Sequence, residues 1–310
     1  MDGQLVTFPQ SHSRGYTRPS KSSYADTQRA LAVFNRDRLA PGLGESVDEG
    51  DMIHRRLMLV LENDYLTQIR AKVAPLLKAV PATPEAFVRW YEHLKEIGPG
   101  QHDSLFPWLA AEASYEQFRW FLEQEVAGEA GFDDLVAMTQ VKMPTRAKLE
   151  MARNYWDEMG RGDAKGMHGP MLDRLAAYFE LRPEIDTTVP EALALGNMMV
   201  ALATNRRFAF QAAGALGIIE LTAPTRAVHV VEALDRLGVP KKESHYFSLH
   251  AILDVKHSQH WNAEILEPLV AEDPRRAAAI AEGALLRLWC GQQCFIRYRR
   301  EFGLSDLLVS

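Results

Sequence analysis

At 310 residues the chain is long enough for one large domain or two, and 47% hydrophobic with 25% charged residues is the composition of an ordinary water-soluble globular protein. Its formal charge of −6, with basic residues gathered only in pairs such as Arg206–Arg207, Lys241–Lys242 and Arg275–Arg276, argues against a phosphate-tracking surface. No apolar run is long enough to span a membrane, and the opening MDGQLVTFPQ lacks the basic-then-apolar pattern of a signal peptide. A cytoplasmic protein that binds neither nucleic acid nor membrane is therefore expected, with Cys290 and Cys294 as free packing thiols.

Residues 1–24 are rich in Ser, Thr, Arg, Gly and Pro with little apolar periodicity, and read as a disordered tail. A short helix is expected over 24–39, a loop over 40–51 and a longer helix over 52–80. TPEAFVRWYEHLKEI (83–97) is a helix with Thr83 as N-cap and Pro84 in its first turn, and GPGQHDSLFPWL (98–109) reads as a turn. A helix over 114–140 is expected to break at Gly128 or Gly131. TRAKLEMARNYWDEM (145–159) is strongly helical and runs into GRGDAKGMHG. Helices follow over 170–182, over 190–219 as one or two long apolar ones, and over 224–237, 242–270 and 274–302. No segment alternates like a strand and no repeat is evident. The expected fold is all-α with ten or so helices, residues 25–100 forming an N-terminal extension packed on a core of 101–310.

The most informative stretch is SHYFSLHAILDVKHSQHW, residues 244–261. At about 100° per helical residue, His250, Asp254 and His257 fall near 0°, 40° and −20°, on one narrow stripe. Two imidazoles and a carboxylate on one face suit a metal ion, although alone they would equally suit a polar surface stripe. His260 lies about 80° off that stripe.

Further donors come from elsewhere. Glu158 and His168 bracket the glycine-rich segment; ten residues apart, they diverge by about 80° on an unbroken helix and could share a ligand only across a break, which Gly160, Gly162 and Gly166 provide. Glu220 sits in the apolar GALGIIELTAP, where a lone carboxylate must protonate, reach solvent or meet a cation. Glu125 and Glu129 are additional candidates, and Asp157 or Asp163 could orient a ligand imidazole. Arg206 or Arg207 could hold a substrate carboxylate in a bidentate contact. GRGDAKG follows a helix instead of a strand and lacks the Lys-Ser/Thr ending of a phosphate loop. Glu158, His168, Glu220, His250, Asp254 and His257 together form a set without thiolates, which suits iron or manganese and is large enough for two ions.

ARNYWDEMGRGDAKGMH, AAGALGIIELTAP and HYFSLHAILDVKHSQHWNAEILEPLV resemble the iron-containing redox enzymes with the haem-oxygenase-like fold, the haem-oxygenase-like di-iron oxidases, over about 115–300. That family's pattern is a Glu and a His on one core helix, a Glu on a second, and His-three-Asp-two-His on a third. Glu158 and His168 match the first pair, Glu220 the middle Glu, and His250, Asp254 and His257 the triplet, with Glu125 as an additional carboxylate found in some members.

The resemblance implies an up-down helical bundle in 101–310 and two Fe(II) ions. It implies dioxygen as co-substrate and a peroxo-di-iron(III) intermediate. The expected activity is oxidation of a small amino-acid-derived substrate in a biosynthetic pathway, by N-oxygenation or by C–C or C–N cleavage. The alternatives are a fatty-acid decarboxylase forming a terminal alkene, which needs a long apolar tunnel, and a non-catalytic metal-binding helical protein. A homodimer and an external reductase are the expected partners. Iron storage is disfavoured because the inward Glu-x-x-His pairs of ferritin-like bundles are not found.

Overall fold

In a computed structural model of the chain, residues 23–128 and 131–304 are described, and among them thirteen α-helices and no β-strand are found. Most of the expected tail, residues 1–22, lies outside the described residues, as does Glu129. α1 (Tyr24–Leu39) opens with a capping box in which Ser23 and Asp26 satisfy each other's backbone donors. α2 (Glu49–Val73), α3 (Pro84–Ile97), α4 (Leu105–Ala111), α5 (Tyr115–Gly128) and α6 (Phe132–Thr139) follow. The break between α5 and α6 falls where Gly131 takes a left-handed φ of 71°. Next come α7 (Thr145–Glu158), α8 (His168–Tyr178), α9 (Pro190–Thr204), α10 (Ala209–Arg236), α11 (His245–Trp261), α12 (Glu267–Glu272) and α13 (Arg276–Glu301). α11 and α12 are joined by a π-helical segment, Asn262–Leu266.

Two expectations about helix ends are corrected. The 98–109 turn contains α4, because Pro107 stands in that helix's first turn, where a missing backbone N–H breaks no intrahelical bond. The expected separate helices ending at 219 and starting at 224 are one continuous α10, with Pro224 inside it. Neighbouring hydroxyls bond back to the backbone there: Thr222 Oγ1 donates to the Ile218 carbonyl and Thr225 Oγ1 to that of Thr222.

α10 is apolar over most of its surface, as a helix packed on several sides must be, and it lies against α13, α11, α9 and α4. Its closest crossing, with α13, depends on a pair of glycines: a Cβ on Gly214 would collide with the Ile280 carbonyl, and one on Gly283 with the Gln211 carbonyl. The Tyr91 hydroxyl and the Trp261 indole donate to α10 carbonyls at Gly214 and Ala213, tying α3 and α11 to the same segment. Leu31, Phe34, Tyr65 and Ile69 of the first two helices share one core with α9, α10 and α13. There the Asn35 amide donates to the Asn197 side chain, which donates in turn to the Gln28 carbonyl. Cys290 and Cys294 are buried free thiols. No helix among the described residues is long and apolar enough to cross a membrane.

Gly214→Ala and Gly283→Ala each force the α10–α13 crossing apart. Each is expected to cost about 3 kcal/mol in denaturant unfolding, the upper range for overpacking a core, and a loss no larger than a surface substitution causes would contradict the crossing.

Candidate functional site

Glu158 is the last residue of α7 and His168 the first of α8. The glycine-rich segment between them folds as a tight hairpin: Met159 and Met167 form an antiparallel bridge, Arg161 takes a positive φ of 54°, and Gly160, at φ 59°, has no room for a Cβ beside Gly166. This turn does what the spacing required. His168 Nδ1 lies 2.7 Å from Glu158 Oε2.

α11 presents His250, Asp254 and His257 toward α7, α8 and α10, and the structure divides the six residues into two groups of three. Glu158, His168 and His250 form one, and Glu220, Asp254 and His257 the other; within each, the donor atoms lie within 4.8 Å of one another. The stripe on α11 therefore serves both groups. His250 is half-buried and the other five are buried.

The tautomers follow from the outer contacts. His250 Nδ1 faces the Tyr246 carbonyl at 2.7 Å, so it carries the proton and leaves Nε2 as the free donor. His257 Nε2 bonds Asp157 at 3.2 Å while its Nδ1 faces Glu220 at 3.5 Å. Asp157 is itself held by Arg161 at 2.6 Å, and the Asn154 amide donates to Glu220 Oε1 at 2.6 Å. Asp163 instead accepts from the Lys165 backbone within the hairpin.

A cation fits this arrangement. His168 Nδ1, His257 Nδ1 and Asp254 Oδ1 are buried without a hydrogen-bond partner among the described residues. The imidazole nitrogens of His168 and His257 nevertheless approach carboxylate oxygens, of Glu158 at 2.7 Å and of Glu220 at 3.5 Å, so donor atoms crowd together within each group. Charge frustration shows in the titration. Burial, reinforced by Glu220 and Glu158, pushes the Asp254 carboxyl well above the ordinary range, and burial with the neighbouring His168 ring pulls His250 down to about 4. Burial alone would lower His257 as well, but Glu220 and Asp157 outweigh it and raise that ring to about 9. Imidazole and carboxylate donors without thiolate suit iron or manganese.

Beside the two groups lies a cavity of about 170 Å³ that Glu158, Glu220, His250 and Asp254 line. Its other walls are mostly apolar, with Phe121, Phe132, Leu195, Met199 and Ile219 among them, and Tyr246 packs on the His250 ring with centroids 4.3 Å apart.

Three charged residues also line this cavity: Glu125 of α5, Arg226 of α10 and Arg287 of α13. Glu125 joins neither group of donors; its Oε1 accepts from the Tyr298 hydroxyl at 3.0 Å, so the expected extra metal carboxylate is reassigned to the cavity wall. Arg206 and Arg207 do not line the cavity. Arg206 donates to the Met138, Thr139 and Val141 carbonyls and so caps α6, while Arg207 is exposed with its guanidinium 5.6 Å from the Phe208 ring. The arginines at the cavity are Arg226 and Arg287. Their sequence signal is like the one that singled out Glu220, a charge among mostly apolar neighbours.

His260 is exposed, 3.8 Å from Glu150, and away from both groups. His245 is exposed, His229 pairs with Glu232, and Trp261 is core.

Fold and donor set define an all-helical protein with two buried histidine–carboxylate groups beside an apolar cavity. Residues 119–292 match the iron-containing redox enzymes, and the chain belongs to that family. No curated protein sequence matches it. A domain of unknown function with a haem-oxygenase-like fold from Shewanella denitrificans superposes with a TM-score of 0.50 at 13% identity, over 79% of this chain and 96% of that one, which places the fold in the haem-oxygenase-like class. A CADD-like protein of unknown function from Nostoc punctiforme is similar at 17% identity, with a TM-score of 0.48 over 80% of this chain and 99% of that one.

Asp157→Asn removes the charge that orients His257. It is expected to weaken Fe(II) binding at the Glu220–Asp254–His257 group by about tenfold or more, the usual cost of losing a carboxylate behind a ligand imidazole, and to leave the other group unchanged. An anaerobic Fe(II) titration that overlays the wild type would contradict this.

Proposed function

We propose that the chain is a non-haem di-iron oxygenase or oxidase that activates dioxygen to oxidise a small, amino-acid-derived molecule, one ion held by Glu158, His168 and His250 and the other by Glu220, Asp254 and His257. The observation that carries this reading is the pair of buried groups of three beside a mostly apolar cavity, in which His168 Nδ1, His257 Nδ1 and Asp254 Oδ1 have no hydrogen-bond partner among the described residues. Two ferrous ions there would supply the electrons that reduce dioxygen.

The chain's own residues do the rest. Asp157 and the Tyr246 carbonyl fix the His257 and His250 rings with the correct nitrogen inward, and Asn154 holds Glu220. Phe121, Phe132, Leu195, Met199 and Ile219 give the cavity an apolar wall beside the two groups.

Cavity size bears on the substrate. A volume of about 170 Å³ slightly exceeds that of an engineered cavity of about 150 Å³ that holds benzene, so it suits a molecule of roughly seven to nine non-hydrogen atoms. That favours amino-acid-sized substrates, processed by N-oxygenation or by oxidative C–C or C–N cleavage, over a long fatty acid. Membership of a family of iron-containing redox enzymes argues against a non-catalytic metal-binding protein.

Wild-type protein is expected to bind two equivalents of Fe(II) without oxygen and to consume dioxygen when it is admitted. Since His250 and His257 serve different groups, each single Ala variant should lose one equivalent and the double variant both. Iron binding unchanged in both single variants would sink the proposal.

A further inference from the structure

Arg226, Arg287 and Glu125 come from three different helices to one end of the cavity. Each is half-buried and lines the cavity. Two guanidiniums and one carboxylate leave a net positive charge in mostly apolar surroundings. Neither guanidinium donates a hydrogen bond to any described residue; Arg226 stands over the Phe295 ring at 5.8 Å, and Glu125 is taken up by the Tyr298 hydroxyl. Burial and repulsion from Arg287 lower the Arg226 pKa to about 10, so its cationic form is under-compensated. Arg226 also lies six residues beyond Glu220 on α10, a helical rise of roughly 9 Å, which puts this cationic end at a substrate's length from the donor groups.

We propose that Arg226 and Arg287 form the anchor for the carboxylate of a small organic acid, which binds with its carboxylate away from the donor groups and its opposite end toward them. Paired guanidinium forks match a carboxylate in shape and in charge, and an arriving anion would complete the hydrogen bonding the pair lacks. Glu125, held by the Tyr298 hydroxyl, places one carboxylate near the two guanidiniums, whose charges oppose the burial that raises its pKa. The bond oxidised would then lie remote from the carboxylate. This last consequence rests on the proposed metal centre, whereas the anchor itself does not.

Hexanoate and hexanamide test it, since they share one shape and differ in charge. Both are titrated calorimetrically into the full chain, loaded anaerobically with Fe(II) and again after chelation. Hexanoate is expected to bind at least about tenfold more tightly than hexanamide in either state. Arg226→Gln and Arg287→Gln should each bring hexanoate down to the level of hexanamide and leave hexanamide unchanged. If either fails to fold by circular dichroism, Arg226→Lys and Arg287→Lys, which keep the charge but lose the fork, should still weaken hexanoate several-fold without affecting hexanamide. Equal affinity for the two probes, or hexanoate binding indifferent to the folded arginine variants, overturns the anchor. A chain that binds hexanoate through the arginines but takes up no iron keeps the anchor and loses the metal proposal. One that binds iron without preferring hexanoate does the reverse.

Discussion

Three carboxylates and three imidazoles are packed among helices in a largely dry part of the molecule, and their convergence is the constraint on which the site's architecture depends. Glu158, Glu220 and Asp254 are each about 5% exposed or less. Taking such groups out of water without a compensating charge is among the most unfavourable things a fold can do. The distorted titration of Asp254, His250 and His257 is that cost in local form. The proposed pair of divalent cations would remove it: the carboxylates would gain a counter-charge and the imidazoles a Lewis acid. Metal binding and stability of this region should accordingly be coupled.

Backbone geometry makes the convergence possible. The α7–α8 hairpin turns the chain so sharply that the last residue of one helix and the first of the next meet, and the Gly214–Gly283 crossing packs α10 tightly on α13. Trp261, bonded to the Ala213 carbonyl, seats the end of α11 on α10 and so sets Asp254 and His257 opposite Glu220. Asn154 and Asp157 stand one turn and one residue before Glu158, so α7 supplies both a donor and the groups that orient donors on two other helices.

Much of this site was legible in the sequence. The α11 stripe follows from helical periodicity alone, and the Glu158–His168 pair follows once three glycines are read as a break. How the six residues divide was not legible, because α11 feeds both groups and only the packing of three other helices decides which donor meets which. Two helix bounds were not legible: α4 forms within the expected turn, with Pro107 harmless in its first turn, and α10 runs through Pro224. Arg206 and Arg207 looked like substrate contacts because sequence cannot reveal that Arg206 is consumed in capping α6. Arg226 and Arg287 were overlooked because they lie on different helices and come together only where α10 meets α13.

The central claim concerns where iron binds. Anomalous diffraction at the iron edge, from crystals of the full chain loaded anaerobically with Fe(II), tests it most directly. The account predicts two iron peaks, one at about 2.0–2.3 Å from donor atoms of Glu158, His168 and His250, the other likewise among Glu220, Asp254 and His257. Iron located at any other cluster, with both groups left without it, would contradict the account.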